Sequence, residues 1–259
     1  RKEQLAAFER MLDILDELRV KCPWDRKQTN ESLRPNTIEE VFELADALMA
    51  DDQKSICKEL GDVLLHVAFY SKIGSEKGTF DIADVCNALS DKLVFRHPHV
   101  FGEVKADDAE TVSQNWERLK LKEKDGNKTV LAGVPRALPA LIKANRIQEK
   151  VAHVGFDWER PEQVWEKVKE EIGETESEIK AGHKDDVEAE FGDLFFSLVN
   201  AARLYGVNPE NALERTNRKF ISRFNYLEAK AKEMGRSLKE MSLAEMDAIW
   251  EEAKTKARD

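Results

Sequence analysis

Two sets of acidic side chains carry the chemistry that can be read from this chain. Glu39-Glu40-Val41-Phe42-Glu43 is followed by Glu59-Leu60-Gly61-Asp62, and Glu170-Glu171-Ile172-Gly173-Glu174 by Glu190-Phe191-Gly192-Asp193. On a helix, positions three apart project from one face, so Glu40 pairs with Glu43, Glu59 with Asp62, Glu171 with Glu174 and Glu190 with Asp193. Two such helices packed antiparallel aim four carboxylates at one point, where they repel unless a cation neutralises them. An all-oxygen shell suits Mg²⁺, with Mn²⁺ as the alternative. A di-iron bundle would place His where Asp62 and Asp193 stand, so the pattern favours phosphate chemistry over oxygen activation. Bound metal polarises phosphoryl oxygens and lowers the pKa of a coordinated water, and a carboxylate not engaged with metal can act as general base. Glu171 and Glu174 are the candidates for that base, and spacing does not separate base from ligand.

All five acidic positions recur at a constant offset of 131, from Glu40 to Glu171. Further on the offset drifts: Lys92-x-x-x-Arg96 matches Lys219-x-x-x-Arg223, and Trp116-Glu117-x-x-Lys120 matches Trp250-Glu251-x-x-Lys254. Upstream, Pro23-Trp24-Asp25 loosely matches Gly155-Phe156-Asp157. Self-similarity of this extent implies an internal duplication. Gly61 and Gly192 recur within the acidic pattern, and a mid-helix Gly costs about 1 kcal/mol relative to Ala. Close approach of a facing helix, or simple packing, is the expected reason. Asn200 lies seven residues after Asp193, on the same helix face two turns on, where an amide can hydrogen-bond a base or sugar; the first-copy equivalent is Phe69.

The elements that must position these residues are helices. Apolar residues recur at three- and four-residue spacing and strict alternation is scarce, so the expected fold is all-α. Helices are expected over 3–20, 38–50, 54–76, 82–95, 108–123, 136–152, 161–180, 185–205, 209–234 and 243–256. Thr37-Ile38-Glu39-Glu40 matches a capping box, with Thr37 as the cap. Gly126 and Gly133-Val134-Pro135 mark 125–135 as a linker. It separates an N-terminal module, 1–124, from a C-terminal module, 136–259, in two tandem helical bundles.

Composition narrows the partners. The 259 residues hold 41 Lys plus Arg against 51 Asp plus Glu, a net charge of −10, with no segregated basic patch. Such a surface repels nucleic acid, whereas a small anion remains suitable because bound metal reverses the local sign. Cys22, Cys57 and Cys86 are far apart and form no zinc or disulfide framework. No stretch is apolar enough to span a membrane, and Arg1-Lys2-Glu3-Gln4-Leu5 lacks the apolar run of a secretory leader, so a cytoplasmic location is expected. His97 and His99, flanking Pro98, read as turn residues rather than ligands.

The pattern E-E-x-x-E, spacer, E-x-x-D resembles the all-α nucleoside triphosphate pyrophosphatase superfamily. Its tandem form, with Cys22-Pro23-Trp24-Asp25 and Arg96-His97-Pro98-His99-Val100-Phe101-Gly102 in the first copy, looks like the MazG family. The resemblance implies Mg²⁺-dependent hydrolysis of nucleoside triphosphates between the α- and β-phosphates, a broad nucleotide range and a helical homodimer. It also implies that the second copy is the catalyst. There Glu171, Glu174, Glu190 and Asp193 match the metal ligands, Lys219 and Arg223 the triphosphate contacts, and Trp250 a nucleotide-side residue. Glu40, Glu43, Glu59 and Asp62 form the corresponding first-copy metal set. Two other readings compete: a non-catalytic metal-binding scaffold or regulator, and a hydrolase specific for dUTP or dCTP.

Overall fold

The computed structural model describes residues 1–102, 112, 119 and 129–256, and among these there is helix and turn but no strand. The chain divides into two compact units, Arg1–Asp107 and Asp108–Asp259. The helix expected over 108–123, and the first part of the expected linker, fall outside the described residues.

In the first unit, α1 (Lys2–Lys21) ends where Pro23 forbids its continuation. After a 3-10 turn at Asp25–Lys27 come α2 (Asn30–Ala50), α3 (Gln53–Glu76), α4 (Ile82–Arg96) and the short α5 (Pro98–Phe101). Helix α2 starts eight residues earlier than expected. Thr29 is its N-cap and forms a reciprocal box with Ser32, and Pro35 is carried inside the helix. Thr37 therefore caps nothing: its hydroxyl donates to the Leu33 carbonyl and meets His66 Nδ1 at 3.0 Å and the Tyr70 hydroxyl at 2.6 Å. A side chain set to satisfy a helix end instead ties α2 to α3.

Asp51, at φ 52°, and Asp52, whose carboxylate caps α3, make the turn between those helices. So short a connection forces an antiparallel pair. The contacts run accordingly, Glu43 beside Lys58 and Thr37 beside His66 and Tyr70. Behind the pair, Leu15 of α1, Leu33 of α2 and Ala68, Phe69 and Ile73 of α3 form the core.

The second unit repeats the theme. Helix α6 (Ala140–Ala152) begins later than expected, after Pro139, because a residue preceding proline is driven out of helical conformation. The hairpin is α7 (Gln163–Ala181) and α8 (Lys184–Leu204), with Gly182 at φ 80° ending α7. Then follow α9 (Pro209–Glu233), opened by Asn208 and Pro209, a 3-10 turn at Leu238–Glu240, and α10 (Leu243–Lys256). Its core is Val164 and Val168 of α7 against Ala201 of α8. Helix α6 packs on α8 and α9.

Gly61 and Gly192 do not serve a close approach within these hairpins. A Cβ at either would meet nothing within 4 Å.

Candidate metal and nucleotide site

Each hairpin brings its acidic residues together. Oxygens of Glu40, Glu59 and Asp62 lie within 4.8 Å of one another, as do those of Glu171, Glu190 and Asp193. Glu43 and Glu174 stand outside these groups of three but within electrostatic reach, since their charges act on Glu40 and Glu190 respectively. Burial, then the neighbouring carboxylates Asp62, Glu43 and Glu59, raises the pKa of Glu40. Burial, then Glu174, Asp193 and Glu171, does the same to Glu190. Both shifts express one condition, a carboxylate withdrawn from water and set among like charges. The donor set is carboxylate oxygen throughout, so the residues fit a hard divalent cation.

A lysine partly offsets the charge in each unit, from opposite helices. In the first, Lys58 of α3 reaches Glu59 at 2.9 Å, Asp62 at 3.6 Å and Glu43 at 4.0 Å, and these anions raise its pKa. At the matching position the second unit has Ala189. There Lys167 of α7 bonds Glu170 at 2.8 Å and Glu171 at 2.7 Å, and its pKa is likewise raised. Its first-unit counterpart is Asn36.

Beside the second cluster lies a cavity of about 770 Å³. Its lining includes Lys167, Glu171 and Asp193 of the charged cluster together with Phe156, Trp158, Asn200 and Arg203. Arg203 is clamped by Asp157, with Nη1 to Oδ2 at 3.0 Å, and its Nε donates to Asn200 Oδ1 at 3.0 Å. The Asn200 oxygen is thereby engaged, and its amide nitrogen is the group left for a ligand. Asp193, Phe196, Ser197 and Asn200 follow one another along one face of α8, so the cavity continues from the carboxylates for about 10 Å along the helix.

The other expected contacts assemble separately. On α9, the Arg223 guanidinium lies 5.9 Å from the Trp250 ring centre, and Phe220 packs on that ring at 4.9 Å. Arg223 Nε is buried without a hydrogen-bond partner among the described residues, and Lys219 is exposed one turn earlier. Lys219, Arg223 and Trp250 do not line the cavity. The first-copy Trp116 lies outside the described residues.

Sequence reasoning missed Gln148, Lys167, Trp158 and Arg203. Gly155-Phe156-Asp157 was visible as a loose repeat of Pro23-Trp24-Asp25, which marks this loop. Gln148 sits in an ordinary amphipathic helix and belongs to no motif.

An all-α chain with a carboxylate cluster on each of two duplicated hairpins, one of them opening on a cavity, has the makings of a metal-dependent hydrolase of nucleotides. Residues 28–101 and 159–227 match the MazG nucleotide pyrophosphohydrolase domain, once in each unit. The chain is 43% identical over 256 residues to the Thermotoga maritima "nucleoside triphosphate pyrophosphohydrolase/pyrophosphatase MazG", covering 98% of each chain. It is 39% identical over 259 residues to the Escherichia coli K12 "nucleoside triphosphate pyrophosphohydrolase", covering 97% of this chain and 98% of the relative. A Bacillus subtilis protein, "uncharacterized protein YabN", is 48% identical over 97% of this chain, which spans 52% of that longer relative. This chain belongs to the MazG nucleotide pyrophosphohydrolase family and is an enzyme of that family. Among the described residues no helix is long and apolar enough to cross a membrane.

Proposed function

We propose that this enzyme hydrolyses nucleoside triphosphates between the α- and β-phosphates, releasing monophosphate and pyrophosphate, with Mg²⁺ as the metal and the second unit as the catalyst. The observation that carries this reading is the continuity of the Glu171, Glu190 and Asp193 cluster with the cavity that runs on to Asn200. Phosphates belong at the carboxylate end and the nucleoside at the apolar end.

In this reading Glu171, Glu190 and Asp193 hold the metal, which supplies Lewis acidity and a water of lowered pKa. Glu174, outside that group of three, completes the shell or takes the proton of the attacking water as general base. Lys167 offsets the negative charge of Glu170 and Glu171 until the site is loaded. Lys219 and Arg223 contact the triphosphate, where Arg223 has an uncommitted buried donor for a phosphate oxygen. Trp250 lies on the nucleotide side, and Asn200 hydrogen-bonds the nucleoside. The first unit keeps a metal-competent set in Glu40, Glu43, Glu59 and Asp62 and serves as a structural or weakly active partner.

The nucleotide range is broad, because the apolar walls make shape contacts that any base can satisfy. Ile172, Ile179, Phe191 and Phe195 are exposed on α7 and α8, which supports a homodimer that covers them. A net charge of −10 argues against a nucleic-acid partner and suits a cytoplasmic enzyme of small anions.

The test is to incubate the protein with each nucleoside triphosphate and Mg²⁺ and to separate monophosphate plus pyrophosphate from diphosphate plus phosphate. Monophosphate from several triphosphates is expected. No monophosphate from any of them overturns the reading, and activity confined to one pyrimidine overturns its breadth.

A further inference from the structure

Gln148 stands on α6, outside both stretches that match the family domain, and is 3% exposed. Its Nε2 donates to the main-chain oxygen of Phe196 at 2.8 Å. That bond sets the orientation of the amide, because the flipped form would press oxygen against oxygen. The side-chain oxygen, Oε1, is buried with no hydrogen-bond partner among the described residues. Folded proteins rarely keep an acceptor this way, since it forfeits its hydration and receives nothing in exchange. Gln148 also lines the cavity beside the carboxylates.

Its position along the cavity says what should meet it. On α8 the Phe196 carbonyl that anchors Gln148 lies one turn, about 5 Å, beyond Asp193, and Asn200 lies a turn further. A triphosphate held at Glu171 and Asp193 therefore directs its sugar and base toward these two amides. Ile147, Val151, Phe156 and Trp158 wall this region, and they suit the faces of an aromatic base rather than a phosphate. With its oxygen engaged by Arg203, Asn200 offers a donor, while Gln148 offers an acceptor. The pairing edge of every common nucleobase carries both an N–H and an acceptor, so such a pair recognises a base without selecting one.

Resting on the proposed nucleotide hydrolysis, we infer that Gln148 is the base-reading residue of this site: Oε1 accepts a hydrogen bond from an N–H on the pairing edge, the exocyclic amine in the case of adenine. Bases lacking any N–H on that edge are then poor substrates, even when they are smaller.

The test compares ATP with purine riboside 5′-triphosphate, which is ATP without the amino group and has no N–H on its pairing edge. In the wild-type protein kcat/KM should be about tenfold higher for ATP. In Gln148→Met, close in shape but without the acceptor, the ratio should fall to near one, chiefly through a lower value for ATP. A wild-type ratio near one overturns the inference without any variant, and so does a tenfold ratio that persists in Gln148→Met. If neither triphosphate yields monophosphate in the wild type, the proposed reaction itself is what has failed.

Discussion

The two hairpins carry the same carboxylates and differ in what lies beside them. Along α8 the residues that follow Asp193 open onto a cavity, with Asn200 two turns on. Along α3 the equivalent of Asn200 is Phe69, which is packed into the core with Leu15, Leu33 and Ile73 beneath the Arg19 guanidinium. Ser197 of α8 corresponds to His66, buried against Thr37. After a duplication, metal-binding geometry can thus persist in both copies while the residue that follows it along the helix is cavity-lining in one and core in the other.

The comparison breaks most sharply at the carboxylates. Glu174→Ala or Asp193→Ala should lower kcat/KM for triphosphate hydrolysis by on the order of a thousandfold, while Glu43→Ala or Asp62→Ala should cost less than about tenfold. Steady-state assays of pyrophosphate release decide this, and a lethal first-unit change would reverse the assignment of roles.

Exchanging the residues that differ should be the next largest effect. Asn200→Phe fills the cavity and should raise KM by at least about tenfold with the fold retained, whereas Phe69→Asn should destabilise the first unit by about 3 kcal/mol, seen as a lower unfolding midpoint. Equal stability losses at the two sites would mean that Asn200 is as structural as Phe69.

The lysines offer a finer test. Lys58 competes for the same oxygens as a cation, so Lys58→Ala should tighten Mn²⁺ binding at the first cluster by about three- to tenfold, measured by calorimetric titration. Unchanged affinity would show that the lysine swings clear at no cost.

The smallest effect concerns pH. Burial holds the His66 pKa below its usual 6.5, so the unfolded chain takes up a proton that the folded unit resists. Stability from this group is complete above the unfolded pKa and declines as pH falls below 6.5. His66→Gln should flatten the fall in melting temperature between pH 7.5 and pH 5.5, and Ser197→Gln should leave it unaltered.

Helix identity and the acidic sets were legible because both depend on local periodicity. Helix 243–256 has the bounds that spacing predicts, and α3, α8 and α9 end within one residue of expectation. The start of α2 was not legible, because Pro35 reads as a stop while its cost is absorbed by a helix anchored earlier through Thr29 and Ser32. Gly61 and Gly192 were noticed for a reason the packing does not support. Gln148 was invisible for a different cause, since it acts through a partner on another helix and an atom left without one, and Lys167 stands at ordinary i,i+3 and i,i+4 spacing from Glu170 and Glu171 on its own helix, a pairing common on any helix surface.

Arg203, clamped by Asp157 and bonded to Asn200, holds its amide in place before any nucleotide arrives. A site whose polar groups are already fixed loses little conformational freedom on loading. The apolar walls around them give the proposed nucleotide binding a thermodynamic signature of its own: a base closed between Phe156, Trp158 and Val151 would withdraw apolar surface from water, so binding should carry a negative heat-capacity change and become more exothermic on warming.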